Sequence, residues 1–261
     1  KNDLRLLRTV GKQLITFNSN TGFTENNQDL MVQPGQFEAI FNDGDPYNEI
    51  QQLVSARKIY TDNSAGFTKA LGKFTISPKF GFSFQQQQLD SDVFLNEDDE
   101  VLDVNFKNRT EFVQSSVYFK NAFRFESKDE TWNLRLSTPL EFKSFHLEDD
   151  NFEDSRNLDR LVFEPNFYVK KKISAFLEAN ASAGLIYNFG EIQQLYYGFL
   201  LKGYRNLNRY NAPISEEQKQ NYSGGLRYRN PLKQLFLNAS YSYAYSENNL
   251  LYSSNIGENG T

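Results

Sequence analysis

The chain has 261 residues, 39% hydrophobic and 15% aromatic, with 28 Lys and Arg against 33 Asp and Glu, a net charge of −5. The absence of cysteine and the single histidine exclude a disulfide framework and a Cys- or His-built metal or catalytic cluster. A pI near 5.1 argues against nucleic acid as a partner, and no apolar run of about 18 residues is present to form a transmembrane helix.

Taken in chain order, hydrophobic alternation predicts strands at 2–9, 13–23, 56–70, 74–85, 109–125, 132–143, 161–170, 174–189, 218–229 and 235–246. Short connections fall near Val10-Gly11-Lys12, Leu71-Gly72-Lys73, Ser127-Lys128-Asp129-Glu130, Lys170-Lys171-Lys172 and Asn230-Pro231-Leu232-Lys233. Long ones fall roughly at 24–56, 89–108, 147–160 and 190–217. Tight turns at one end and long loops at the other are the layout of a transmembrane antiparallel up-and-down β-barrel. The low mean hydropathy of −0.64 fits, because a barrel strand hides its apolar face by alternation.

The alternation assigns faces. In 74–85, Phe74, Ile76, Pro78, Phe80, Phe82 and Phe84 oppose Thr75, Ser77, Lys79, Gly81, Ser83 and Gln85. In 132–143, Trp132, Leu134, Leu136, Thr138, Leu140 and Phe142 oppose Asn133, Arg135, Ser137, Pro139, Glu141 and Lys143. Each strand therefore has one face suited to lipid and one suited to water. The wet, lumen-facing set is Lys79, Lys120, Arg124, Arg135, Glu141, Lys143, Glu164, Lys170 and Glu178. Trp132, Tyr241, Tyr243 and Tyr245 lie near strand ends, where an aromatic girdle is expected. Tyr196 and Tyr197, beside a long loop, stay unassigned. Pro78, Pro139 and Pro165 each remove a ladder donor inside a strand and read as bulges.

Both ends, Lys1-Asn2-Asp3 and the loop-like stretch after Leu250, read as internal to a longer chain. The expectation is one segment, 1–261, of a barrel domain, with neither plug nor signal peptide. Its ten strands close only with others, so residues 2–9 and 235–247 should not pair with each other.

Three stretches carry a family resemblance: Tyr228-Arg229-Asn230-Pro231-Leu232-Lys233-Gln234-Leu235-Phe236-Leu237, Gly203-Tyr204-Arg205-Asn206-Leu207, and Phe80-Gly81-Phe82-Ser83-Phe84-Gln85 followed by Leu89-Asp90-Ser91-Asp92. They resemble the TonB-dependent-receptor-like outer-membrane barrels of the Bacteroidota, of the SusC-like type that carries a carboxypeptidase-like regulatory domain. The resemblance covers most of the chain as texture, with no TonB box or plug motif. It implies a C-terminal barrel portion, a total of about 22 strands, an outer-membrane location, and partners that include the lipid bilayer, a surface lipoprotein or other outer-membrane subunits, and TonB through regions outside this sequence.

Hard cations take oxygen ligands, which makes Asp98, Asp99 and Asp103 in one loop, and Asp149 and Asp150 in the next, candidate Ca²⁺ ligands. Neither cluster has EF-hand spacing, and the plainer reading is a solvated loop. No Gly-x-Ser-x-Gly, P-loop or zinc motif occurs, and neither an enzymatic role nor a cofactor is expected. Three functions stand: a barrel transporting or binding a bulky nutrient at the cell surface, a barrel serving as a structural or assembly subunit without transport, and a soluble or surface β-rich binding module.

Overall fold

The computed structural model describes residues 1–250 apart from 36, 97, 98, 101, 102, 153, 204 and 211, and only the backbone at 99, 100 and 154. In chain order the strands are β1 (Asn2–Val10), β2 (Gln13–Val32), β3 (Ile50–Leu71), β4 (Phe74–Leu95), β5 (Asp99–Glu100), β6 (Asn108–Glu126) and β7 (Trp132–Asp149). They continue as β8 (Asp154–Phe163), β9 (Asn166–Lys172), β10 (Leu177–Phe189), β11 (Leu200–Gly203), β12 (Asn206–Asn208), β13 (Glu216–Asn230) and β14 (Leu235–Asn248). The four-residue helix α1 (Glu38–Phe41) lies between β2 and β3, and no described helix is long and apolar enough to cross a membrane.

One antiparallel sheet carries the order β1-β2-β3-β4-β6-β7-β9-β10-β13-β14. Consecutive strands are neighbours throughout, which is up-and-down topology. β8 and β9 both pair with β7 in a single register, from Leu140↔Phe163 to Ser137↔Asn166. They are one long strand interrupted at Glu164-Pro165, so the main path of the sheet has the ten strands that alternation predicts, with the two-residue β5 added beside β4. Among the described residues β1 and β14 each have one partner and do not pair with each other.

The turns follow from glycine. Gly11 and Gly72, at φ 60° and 66°, hold the first central position of two-residue hairpins. A left-handed residue there matches the twist of the flanking strands.

Two expectations are corrected. The prolines make no bulges. Register runs unchanged past Pro78, from Gly66↔Lys79 to Lys69↔Ile76, and past Pro139 and Pro165 likewise. The ladder simply skips a bond, and Gly66 lets the strands stay close, since a Cβ there would lie 2.6 Å from the Pro78 carbonyl oxygen. The connection expected over 147–160 is a tight turn between Asp149 and Asp154, and the loops after β2 and β4 shrink to 33–49 and 96–107. The reason is strand length. β3 and β4 have 22 residues each. At about 3.3 Å per residue and a tilt of about 45° they rise roughly 50 Å, twice the ~25 Å apolar band of a membrane barrel.

Candidate functional site

The surplus length explains a reversal of polarity. On β4 the face bearing Phe74, Ile76, Phe80, Phe82 and Phe84 continues as Gln86, Gln88, Asp90 and Asp92, while the other face changes from Thr75, Ser77, Lys79, Ser83 and Gln85 to buried Leu89 and Val93. On β7 the first face changes from Leu136, Leu140 and Phe142 to Ser144, His146 and Glu148, and the second from Glu141 and Lys143 to Phe145 and Leu147. Registered neighbours switch together: Phe142 faces Leu161, and the next pair on that face is Ser144 with Asp159. Phe80 is 59% and Leu161 69% exposed, whereas Phe112 and Leu147 are fully buried. The first face is called open and the second covered.

Beyond the switch, polar pairs lace the open face. Arg109 donates to both oxygens of Asp92 at 2.8 and 2.9 Å. Gln86 and Gln88 donate to the two oxygens of Glu111 at 3.0 and 3.1 Å. His146 lies 2.7 Å from the Asn157 side-chain oxygen and 3.3 Å from Glu148. Both partners accept, which favours the doubly protonated ring and raises its pKa above the ordinary histidine value.

The covered face owes its name to residues 190–215, between β10 and β13. Ile192, Leu195, Tyr196, Tyr197, Leu200 and Ile214 pack on Leu89, Phe112, Phe145 and Leu147. Leu201 extends a second cluster of Val32, Phe41, Tyr47, Ile50, Val93 and Phe106. Buried polar side chains fix this insert in place. The Gln52 amide donates to the Leu201 carbonyl at 3.1 Å and accepts from its N–H at 2.7 Å. Asn108 accepts from Gly198 N–H at 2.8 Å and donates to Ser91 at 2.8 Å. A Cβ on Gly198 would sit 2.3 Å from the Lys107 carbonyl oxygen, so only glycine fits this approach. Tyr196 and Tyr197 are therefore core residues of the insert. Burial pushes the Tyr196 phenol pKa up and the Lys202 ammonium pKa down.

Beneath the insert lies a cavity of about 550 Å³. Lys58, Ser83, Gln85, Gln114, Ser116, Glu141 and Lys143 line it from the sheet, Glu191, Gln193 and Gln194 from the insert, and Phe145 and Phe189 at one side. Ser83 bonds Ser116 at 2.7 Å and Gln85 donates to Gln114 at 3.1 Å. Lys143 stands 3.9 Å from Glu141 and 5.3 Å from the Phe189 ring centre. The walls offer amide, hydroxyl and paired charges, suited to holding a polar solute.

Of the charged set read from alternation, the structure joins Lys120, Glu141 and Lys143, with Lys120 3.7 Å from Glu141. Lys79 and Lys120 flank the Tyr118 ring at 5.6 and 4.1 Å, and Tyr118 donates to Asp62 at 2.6 Å. Lys170 pairs with Glu178 at 2.7 Å, and Arg124 with Glu126 at 3.0 Å. Arg135 lies over Tyr168, and Glu164 accepts from Tyr187 N–H. Trp132 is half-exposed under the Lys171 ammonium at 4.5 Å. Tyr241, Tyr243 and Tyr245 are exposed along β14.

Among the described residues no group of acidic side chains assembles into a ligand set. Asp149 is buried and accepts from Thr110 Oγ1 at 2.6 Å, Arg109 N–H and Asn151 N–H, closing the β7–β8 turn. Asp103 caps the turn at Val104–Phe106 through Asn105 N–H at 2.9 Å. Asp150 is exposed. Asp98 lies outside the described residues, and of Asp99 only the backbone is described, paired to Leu95. Gln52, Asn108 and Gly198 escaped sequence reading because a buried amide on a strand has the same pattern as a wet one.

No protein-family model and no curated protein matches the sequence. Among solved structures, the ferric yersiniabactin uptake receptor FyuA from Yersinia pestis superimposes over 92% of this chain with a TM-score of 0.59 and 9% identity. The fold is that of a transmembrane β-barrel wall. The chain spans 34% of that receptor's length. The ferric citrate transporter FecA in its unliganded form gives a TM-score of 0.43 at 8% identity, over 90% of this chain and 43% of that one.

Proposed function

We propose that this chain forms part of the wall of an outer-membrane transport barrel of the TonB-dependent-receptor kind, with the open face in lipid and the covered face toward the solute path. The reversal of face polarity carries this reading. An eleven-residue apolar row such as Phe74–Phe84, tilted about 45°, rises about 25 Å, the height of the apolar band of a membrane barrel. The unpaired outer edges of β1 and β14 would be costly in hydrocarbon, and further strands, to a total of about 22, close the ring in this reading. The nine charged residues read from alternation then line the lumen, Trp132 and the Tyr241–Tyr245 row form the girdle, and the insert narrows the path at its outer end. The cargo is a bulky nutrient, delivered with a surface lipoprotein and driven through TonB.

Two experiments test it. Asp99→Cys on intact cells should react with an impermeant thiol reagent while Lys128→Cys should not, because short turns face the periplasm. Cells lacking the protein should grow poorly on at least one limiting iron or carbon source. Reversed labelling would invert the wall, and normal growth across the panel would favour a structural subunit.

A further inference from the structure

The charge of the connections is divided unevenly between the two ends of the sheet. Four of the five short connections carry lysine, Lys12, Lys73, Lys128 and Lys233; the fifth is 173–176 rather than the 170–172 read from the sequence, and Lys171 with Lys172 end the strand β9 that enters it. All six are exposed. Only Asp129 and Glu130 oppose them within these turns, and both are engaged. Asp129 accepts from Thr131, and Glu130 lies 3.8 Å from Lys172. At the other end, connections 33–49, 96–107 and 150–153 together hold eleven Asp or Glu and one Lys, and the insert 190–215 adds Glu191 against Lys202, Arg205 and Arg209.

The basic rim is also apolar at its tips. Leu232 is 88% exposed, and Val10, Leu71 and Ile173 are about half exposed beside the lysines. Trp132 stands on the open face at this end with Lys171 over its ring. A ring of cations interleaved with exposed aliphatic side chains, just below an apolar band, is matched by a surface that is anionic and oily together.

We propose that the short-turn rim binds anionic glycerophospholipid headgroups, the lysines meeting phosphate while Val10, Leu71, Ile173 and Leu232 enter the glycerol and upper acyl region. The proposal rests on the membrane reading above. Basic residues near an anionic lipid surface act within a Debye length, about 8 Å at physiological salt, so the preference is additive over the rim and weakens as salt rises.

The test uses Trp132 fluorescence in the full-length protein reconstituted in vesicles, with Trp132→Phe subtracted to isolate its signal. Brominated phosphatidylglycerol should quench with an apparent affinity at least about threefold that of brominated phosphatidylcholine. The selectivity should fall toward one in 0.5 M salt, and in a protein with all six lysines changed to glutamine. If that variant fails to fold by heat-modifiable migration, Lys12→Gln, Lys73→Gln and Lys233→Gln combined should at least halve the selectivity. Equal quenching by the two lipids, or a preference that survives both salt and substitution, would overturn the proposal while leaving the membrane reading intact. Quenching by neither lipid would overturn both.

Discussion

Gln52 on β3 and Leu201 in the insert are 149 residues apart and exchange two hydrogen bonds through one fully buried side-chain amide. The amide imitates a strand neighbour, completing one edge of β11, whose other edge pairs with β12. The insert is thereby part of the wall rather than a loop lying over it.

Gln52→Ala strands a buried N–H and a buried C=O. The expected cost is about 1–3 kcal/mol, read as a lower urea midpoint and faster proteolysis within 190–215. Unchanged cleavage there would mean that apolar packing alone holds the insert.

Gly198→Ala should loosen the same segment, because its Cβ collides with the Lys107 carbonyl. Gly203→Ala is the control, since nothing lies within 4 Å of a Cβ at that position. Protease sensitivity should rise for the first and stay level for the second.

Leu136 and Ser137 adjoin on β7 and face opposite ways. An arginine on the lipid face at mid-membrane costs about 2–4 kcal/mol. Leu136→Arg should reduce the heat-modifiable folded fraction, and Ser137→Arg should leave most of it. Equal yields would remove the basis for the two faces.

His146 reports on the open face above the membrane. Asn157 and Glu148 bond it directly, and Glu111 acts through its charge. Its pKa is raised on folding, so its contribution to stability is complete below the unfolded value of about 6.5 and is lost as pH rises through the folded pKa. Asn157→Ala should return the histidine pKa, followed by NMR, toward the ordinary value. The stability gap between wild type and Asn157→Ala should be widest in mildly acidic buffer and close above neutrality. The ring is partly solvated, which keeps the effect modest.

The ten strands were legible because their membrane portions alternate cleanly, as Phe80, Phe82 and Phe84 do. The upper halves were not. At Gln85-Gln86-Gln87-Gln88 both faces are amide and no alternation survives, although Gln87 is buried on one face and Gln86 and Gln88 bind Glu111 on the other. Past that point the apolar face is the opposite one, with Leu89 and Val93, and the strand reads as ended when only its surroundings have changed. The insert showed no period because its elements are too short to carry one: Ile192 and Leu195 sit on and after a three-residue 3-10 turn, and Leu200 opens the four-residue β11. Its anchors were hidden in the same way, since Gln52 and Asn108 look like wet positions until the insert arrives. Of the acidic residues that the sequence leaves as solvated loop or candidate ligands, Asp149 and Asp103 serve backbone turns.

The most direct test of the central claim is a spin-label depth profile along the open face of β4. Single cysteines at Phe80, Phe82, Phe84, Gln86, Gln88 and Asp90 would be labelled in the reconstituted protein and relaxed by oxygen, which concentrates in hydrocarbon, or by a water-soluble nickel chelate. Oxygen should dominate at Phe80, Phe82 and Phe84, and nickel at Gln86, Gln88 and Asp90, with the crossover between Phe84 and Gln86. A profile dominated by nickel along the whole strand would contradict the account and place this sheet in water.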